Sequence, residues 1–312
     1  MTIIADWLVP CLRQIQVLKQ NHSLSHALLI TGADGVGQEE IAYEMVKDLM
    51  GESDQTAACG QCHSCQLMRA DTHPDFRVLD GQAGTIKVDQ VRLLVRQISQ
   101  KSQVGQNKVV LITHAQAMNI NAANAVLKAL EEPADRTFFV LTSSQSTSLL
   151  PTIRSRCLLV NVPTPSESEV KQWLMKQDDG DALSSLFWLT TQPFRLLAIQ
   201  KQGKAQLYAS LPDQLVDLLS GATSVSVILK GVDSNNIEDY CNGLAAILHQ
   251  CICHSTGVPI DPALKAIYDT LIARLGVQVL MMRYQALQKL KSDLQKTNLN
   301  PIMQLTHELN QW

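Results

Sequence analysis

His26-Ala-Leu-Leu-Ile-Thr-Gly-Ala-Asp-Gly-Val-Gly-Gln-Glu39 is the stretch whose reading decides the fold. A short apolar run, His26 to Thr31, ends in a glycine-bearing loop, Gly32 to Gly37, and a helical pattern follows from Glu39 to Met50. An apolar run of this length bounded by glycine reads as a strand buried on both faces. Strand, glycine loop and helix in that order place backbone amides at a helix N-terminus, where phosphate is held in many α/β proteins.

The loop Gly32-Ala-Asp-Gly-Val-Gly-Gln-Glu39 has the glycine spacing of a Walker A motif. A working motif continues from Gly37 into Lys and then Ser or Thr. The Lys brings positive charge to the β- and γ-phosphates, and the hydroxyl binds Mg²⁺. Here Gln38 and Glu39 take those places. Gln38 has no charge, and Glu39 sets an anion beside an anionic ligand, although it suits an empty helix N-terminus. A second strand agrees. Val109-Val-Leu-Ile-Thr-His-Ala115 puts Thr113 and His114 where a Walker B strand carries an acid for the Mg²⁺ shell. The residues therefore predict the nucleotide-binding shape without its hydrolysis. His114 reads as a structural or surface histidine.

Working outward, Trp7, Leu8, Cys11, Leu12, Ile15 and Leu18 give an opening amphipathic helix. Strands are expected at Phe76–Leu79, Val109–Ile112, Phe138–Leu141 and Cys157–Val160. Helices are expected with Val88, Val91, Leu94, Val95 and Ile98 on one face, and over Ala122–Leu130 ending before Pro133. Alternating strands and helices argue for a mainly parallel α/β sheet. After Val162 no strand pattern remains, and Pro163-Thr-Pro-Ser166 marks a linker. Leu264, Ile267, Leu271, Leu275, Val279 and Leu287 form one long helical stripe. The expected domains are 1–162, α/β with a cysteine-bearing insertion at about 51–75; 163–205, a helical lid; and 206–312, a helical collar.

The 312 residues are 46% hydrophobic and 18% charged, enough for an ordinary core, with aromatics at 4%. So few aromatics argue against stacking platforms for single-stranded nucleic acid. A net charge of −3 gives no global attraction to phosphate backbones. No apolar run has the length of a membrane span, and no export signal is read at the N-terminus. The eight cysteines then point to a reducing, cytoplasmic setting rather than to disulfides.

Cys59, Cys62 and Cys65 stand apart by their Cys-x₂-Cys-x₂-Cys spacing. Closely spaced thiolates can wrap a tetrahedral Zn²⁺, which favours four ligands in a closed structural site. Three completions are open: His63, His73 or a carboxylate such as Asp54; water; or cysteines that merely pack, without zinc. Cys251 and Cys253 flank Ile252 and are expected in the core.

Asn124-Ala-Val-Leu-Lys-Ala-Leu-Glu-Glu-Pro133 and Thr152-Ile-Arg-Ser-Arg-Cys157, with its Ser-Arg-Cys motif, resemble the bacterial clamp-loader branch of the AAA+ proteins. Cys59–Cys65 followed by Thr72-His-Pro-Asp75 resembles the zinc module of that branch, and Asn298–Leu305 its last collar helix. The resemblance runs from about residue 20 to the C-terminus. The gamma/tau-type ATPases of the branch keep the loop Lys and an acidic pair; this chain lacks both and resembles the subunit with a silent ATP site. The resemblance implies that Arg156 reaches the ATP of a neighbouring gamma/tau-type subunit, while no ATP is expected at Gly32, Gly37, Gln38 and Glu39. It also implies a heteropentamer with gamma/tau-type and delta subunits that loads a sliding clamp on primed DNA. Any polymerase activity belongs to the holoenzyme. Arg154 is implied to be structural or aimed at a partner, and Arg195, in Pro193-Phe-Arg195, an ordinary lid residue. The family's fourth cysteine falls at Met50, and a thioether is a poor Zn²⁺ ligand. Two other readings are an independent AAA+ ATPase, opposed by Gln38, Glu39 and Thr113, and a zinc-dependent nucleic-acid-binding module, opposed by the acidic balance.

Overall fold

A computed structural model describes residues 4–51, 59–82, 84–177, 180–233, 236–258, 260, 264–294 and 300–312. Asp54, Asn298 and Leu299 lie outside the described residues. The chain divides into two compact units, 1–169 and 170–312.

The first unit is built on five strands: β1 (Ala27–Thr31), β2 (Phe76–Asp80), β3 (Lys108–Thr113), β4 (Thr137–Ser143) and β5 (Leu158–Asn161). Every pairing is parallel, in the order β2-β3-β4-β1-β5. Parallel strands need crossovers, and helices supply them. These are α1 (Val9–Gln20), before the sheet, then α2 (Gln38–Met50), α3 (His63–Arg69), α4 (Val88–Ile98), α5 (Ile120–Glu131) and α6 (Pro151–Arg154). All residues of β1 and β3 are buried, and all but Phe138 in β4. The edge strands β2 and β5 are only partly covered. The apolar runs of the inner strands thus reflect burial on both faces. On one face Ala27, Leu29, Val110, Ile112, Phe139 and Leu141 pack with Val91, Leu94 and Ile98 of α4 and Ala122, Val126 and Leu130 of α5. Helix α2 packs against β1, β3 and β4.

Two polar residues fasten the loop between α4 and β3. The buried Lys108 ammonium donates to the carbonyl of Ile98 (2.6 Å), which the end of α4 leaves open, and to that of Gln100 (2.8 Å) just beyond the helix. The Asp75 carboxylate accepts from the amides of Gln103 (2.8 Å), Val104 (2.9 Å) and Gly105 (3.1 Å).

Among its described residues the second unit has helices and no strand. It comprises the end of α7 (Glu167–Leu174), then α8 (Gly180–Ser184), α9 (Pro193–Lys201), α10 (Ala205–Ser220), α11 (Val225–Ile228), α12 (Ile237–Ser255), α13 (Lys265–Leu294) and α14 (Pro301–Leu309). Helix α13 is not the straight helix that the apolar stripe suggests. Gly276, at φ +73° and ψ 153°, breaks it. The buried residues run Tyr268 and Leu271 before the break and Leu280, Leu287 and Leu290 after it, so Leu275 and Val279 are only half-buried. Cys251 is buried as expected, but Cys253 is half-exposed, its sulfur 3.8 Å from the His249 ring. Two residues along a helix turn about 200°, so both could not face one core. Arg195, in the first turn of α9, is exposed. No helix among the described residues is long and apolar enough to cross a membrane.

Candidate functional site: a phosphate loop without its lysine

The loop from Gly32 to Gly37 joins the carboxyl end of β1 to α2, the place where open parallel sheets hold ligands. Gly37 caps α2 at φ +111°, a left-handed conformation open to glycine. The Trp7 indole donates 2.8 Å to the carbonyl of Val36 and pins the loop from behind. The predicted shape is present.

The side chains at its mouth differ from those of a working site. Gln38 is fully buried, and neither atom of its amide has a hydrogen-bond partner. Glu39 accepts from the Thr142 hydroxyl at 3.3 Å and lies 3.8 Å from His114 Nε2. Burial pushes the Glu39 carboxyl above its ordinary value, against its own amide, the His114 ring and the Thr142 hydroxyl, which pull it down. His114, with φ +50°, takes the first position after β3. Its Nδ1 lies 3.6 Å from Asp80. Thr113 donates to the same Asp80 oxygen at 2.7 Å. Burial acts to raise the Asp80 carboxyl, but the Gln82 amide, the Thr113 hydroxyl and His114 outweigh it and hold it below its usual range. Glu39, Asp80, Thr113, His114 and Thr142 therefore form one polar cluster at the carboxyl end of the sheet. Asp80 and Thr142 are the members that sequence reasoning missed. Asp80 is the last residue of β2, one residue beyond the expected strand, and Thr142 lies one residue beyond the expected Phe138–Leu141 run.

Arg156 follows α6 at the surface. Its Nη2 lies 2.5 Å from Glu131 Oε1, and its Nη1 donates to the Thr152 carbonyl at 2.9 Å and the Ser155 hydroxyl at 3.4 Å. The adjacent Cys157 thiol is pushed up to about 12 by burial.

Cys59, Cys62 and Cys65 come together, with all three sulfurs within 4.8 Å of one another. The Cys59 and Cys65 sulfurs are 3.9 Å apart, and the Cys62 and Cys65 amides donate to Cys59 (3.3 Å) and Cys62 (3.4 Å) sulfurs. Amide donors from Gln61 and Cys62 lower the exposed Cys59 thiol to about 7, while burial raises Cys65 to about 11. Such a grouping can hold a metal ion. His73 does not extend it. Its Nδ1 accepts from the Asp75 amide at 3.1 Å, so Nε2 carries the proton and donates to Ser64 at 2.7 Å. Ser64 in turn donates to the Met50 carbonyl at 2.5 Å. With both ring nitrogens engaged inside the protein, His73 is a structural link. Met50 is buried at 2% exposure. Among the described residues only the three cysteines form such a group.

Sheet order, loop and helical second unit define an AAA+-type α/β protein whose phosphate loop lacks the Lys and the hydroxyl of a working site. The family model described as DNA polymerase III, delta subunit, matches residues 10–166. The DNA polymerase III subunit delta' of Pseudomonas aeruginosa is 34% identical over 300 residues, 92% of each chain. The Haemophilus influenzae subunit of that name is 36% identical, the alignment covering 65% of this chain and 63% of that one. The Escherichia coli subunit is 37% identical over 55% of this chain and 52% of that one. A gamma subunit-related protein of Thermotoga maritima superposes with a TM-score of 0.47 at 19% identity, over 95% of this chain and 97% of that one. This chain belongs to the DNA polymerase III delta' family.

Proposed function

We propose that the chain is a clamp-loader subunit that does not hydrolyse ATP and lends Arg156 to the ATP site of a neighbouring gamma/tau-type subunit. The observation that carries this reading is the distribution of charge in the first unit. At the loop, a buried neutral amide and a carboxyl stand where catalysis needs an ammonium and a hydroxyl. The guanidinium in the Ser-Arg-Cys motif instead stands at the surface after α6. During phosphoryl transfer, charge is spread over the γ-phosphate oxygens. An arginine aimed there stabilises it, keeps its proton and offers a rigid fork of donors.

Membership in the delta' family supports the loader role. On this reading the helices of 206–312 hold the subunit in its assembly, 163–205 act as a lid, and another face of the first unit meets the delta subunit. The assembly then places a sliding clamp on primed DNA in the cytoplasm. Cys59, Cys62 and Cys65 hold a structural Zn²⁺, which would tie α3 to the segment before it. Water or a side chain outside the described residues completes the four-coordinate set.

Reconstitution tests the proposal. The chain is mixed with gamma/tau-type and delta subunits, and clamp- and DNA-stimulated ATPase is measured. Arg156→Ala should lower turnover at the site it serves by at least about tenfold. Unchanged turnover rejects the finger. Robust ATP turnover by the purified chain alone rejects the non-hydrolysing reading.

A further inference from the structure

We infer that Glu131 is the positioning residue for Arg156, holding the guanidinium oriented before a neighbour arrives; the inference rests on the finger reading above. Glu131 is the last residue of α5, and α5 packs against α6. That packing brings residues far apart in sequence into one clamp. Glu131 Oε1 takes the Nη2 side of the fork at 2.5 Å. The Thr152 carbonyl, which the short helix α6 leaves open at its end, takes the Nη1 side at 2.9 Å, with Ser155 Oγ at 3.4 Å.

A guanidinium has five N–H groups. Three contacts leave two for a phosphate. Side-chain exposures of 35% for Arg156 and 47% for Glu131 keep the pair at the surface, where another chain can reach it. Without the carboxylate, a long side chain samples many rotamers and holds the productive orientation for a minority of the time. Pre-organisation of this kind acts on the chemical step and not on substrate affinity, because Glu131 touches Arg156 and not the nucleotide.

The test uses the reconstituted assembly with saturation curves in ATP. Glu131→Ala should lower kcat roughly two- to fivefold, the range expected from a surface ion pair, and leave KM for ATP unchanged. Glu131→Gln, which still offers an oxygen to Nη2, should recover part of the loss. The double variant Glu131→Ala/Arg156→Ala should be no slower than Arg156→Ala alone, since a positioning residue has nothing left to position. Wild-type kcat in Glu131→Ala, or a double variant slower than Arg156→Ala, overturns the inference while leaving the finger intact. No effect of Arg156→Ala removes both. If Glu131→Ala fails to assemble, Glu131→Gln carries the same comparison.

Discussion

The phosphate loop and the cysteine module lie in the same unit, and each has lost a different thing. The loop keeps its backbone, with Gly37 left-handed and the Trp7 anchor in place, and has Gln38 and Glu39 where a working motif has an ammonium and a hydroxyl. The module keeps its reactive groups, three sulfurs within 4.8 Å, while Met50 stands where the resemblance puts a fourth cysteine. The difference teaches that packing preserves a shape after its chemistry has gone. A ligand set, by contrast, persists only through the side chains themselves.

The sharpest way to break this comparison is to restore the missing ligand. Met50→Cys should tighten zinc retention by at least about tenfold, and Cys62→Ser should abolish it, both read by metal analysis after dialysis against a chelator. Equal retention in Met50→Cys and the parent protein would mean that position 50 does not face the metal. A smaller effect concerns the loop between α4 and β3, which Asp75 holds. Asp75→Ala leaves three amides without their acceptor and should cost about 2–3 kcal/mol in denaturant unfolding. Burial raises the Asp75 carboxyl, but the amides of Val104, Gln103 and Gly105 outweigh it, so its folded value lies below the unfolded one. Its contribution is therefore complete above about pH 4 and lost as pH falls through the folded value. Asp75→Ala should lack that acid-sensitive component. The smallest effect is at the loop itself. Gln38→Met removes a buried amide without partners and keeps its volume, and should stabilise the protein by about 1 kcal/mol. A loss of stability would show that the amide contributes to the fold.

The inner sheet was legible because strands buried on both faces read as plain apolar runs, as at Leu28–Ile30 and Val109–Ile112. The loop was legible because its glycines are spaced by backbone need. Asp80 was not, since an edge strand with mixed exposure gives no sign of which polar residue turns toward the loop. Nor was the Arg156–Glu131 pair, which depends on how α5 meets α6 rather than on any spacing along the chain. His73 looked like a ligand by residue type, yet its ring nitrogens bind Ser64 and the Asp75 amide. In α13 a single glycine moved the apolar face from Leu271 to Leu280, a shift that helical periodicity cannot anticipate.

The inward turn of Lys108 bears on how this unit meets a polyanion. A cation whose head is tied to the carbonyls of Ile98 and Gln100 displaces no condensed counterions from a duplex, and so adds nothing to the salt-dependent part of binding. The 26 Lys and Arg residues in the chain overstate the positive surface it can offer to DNA.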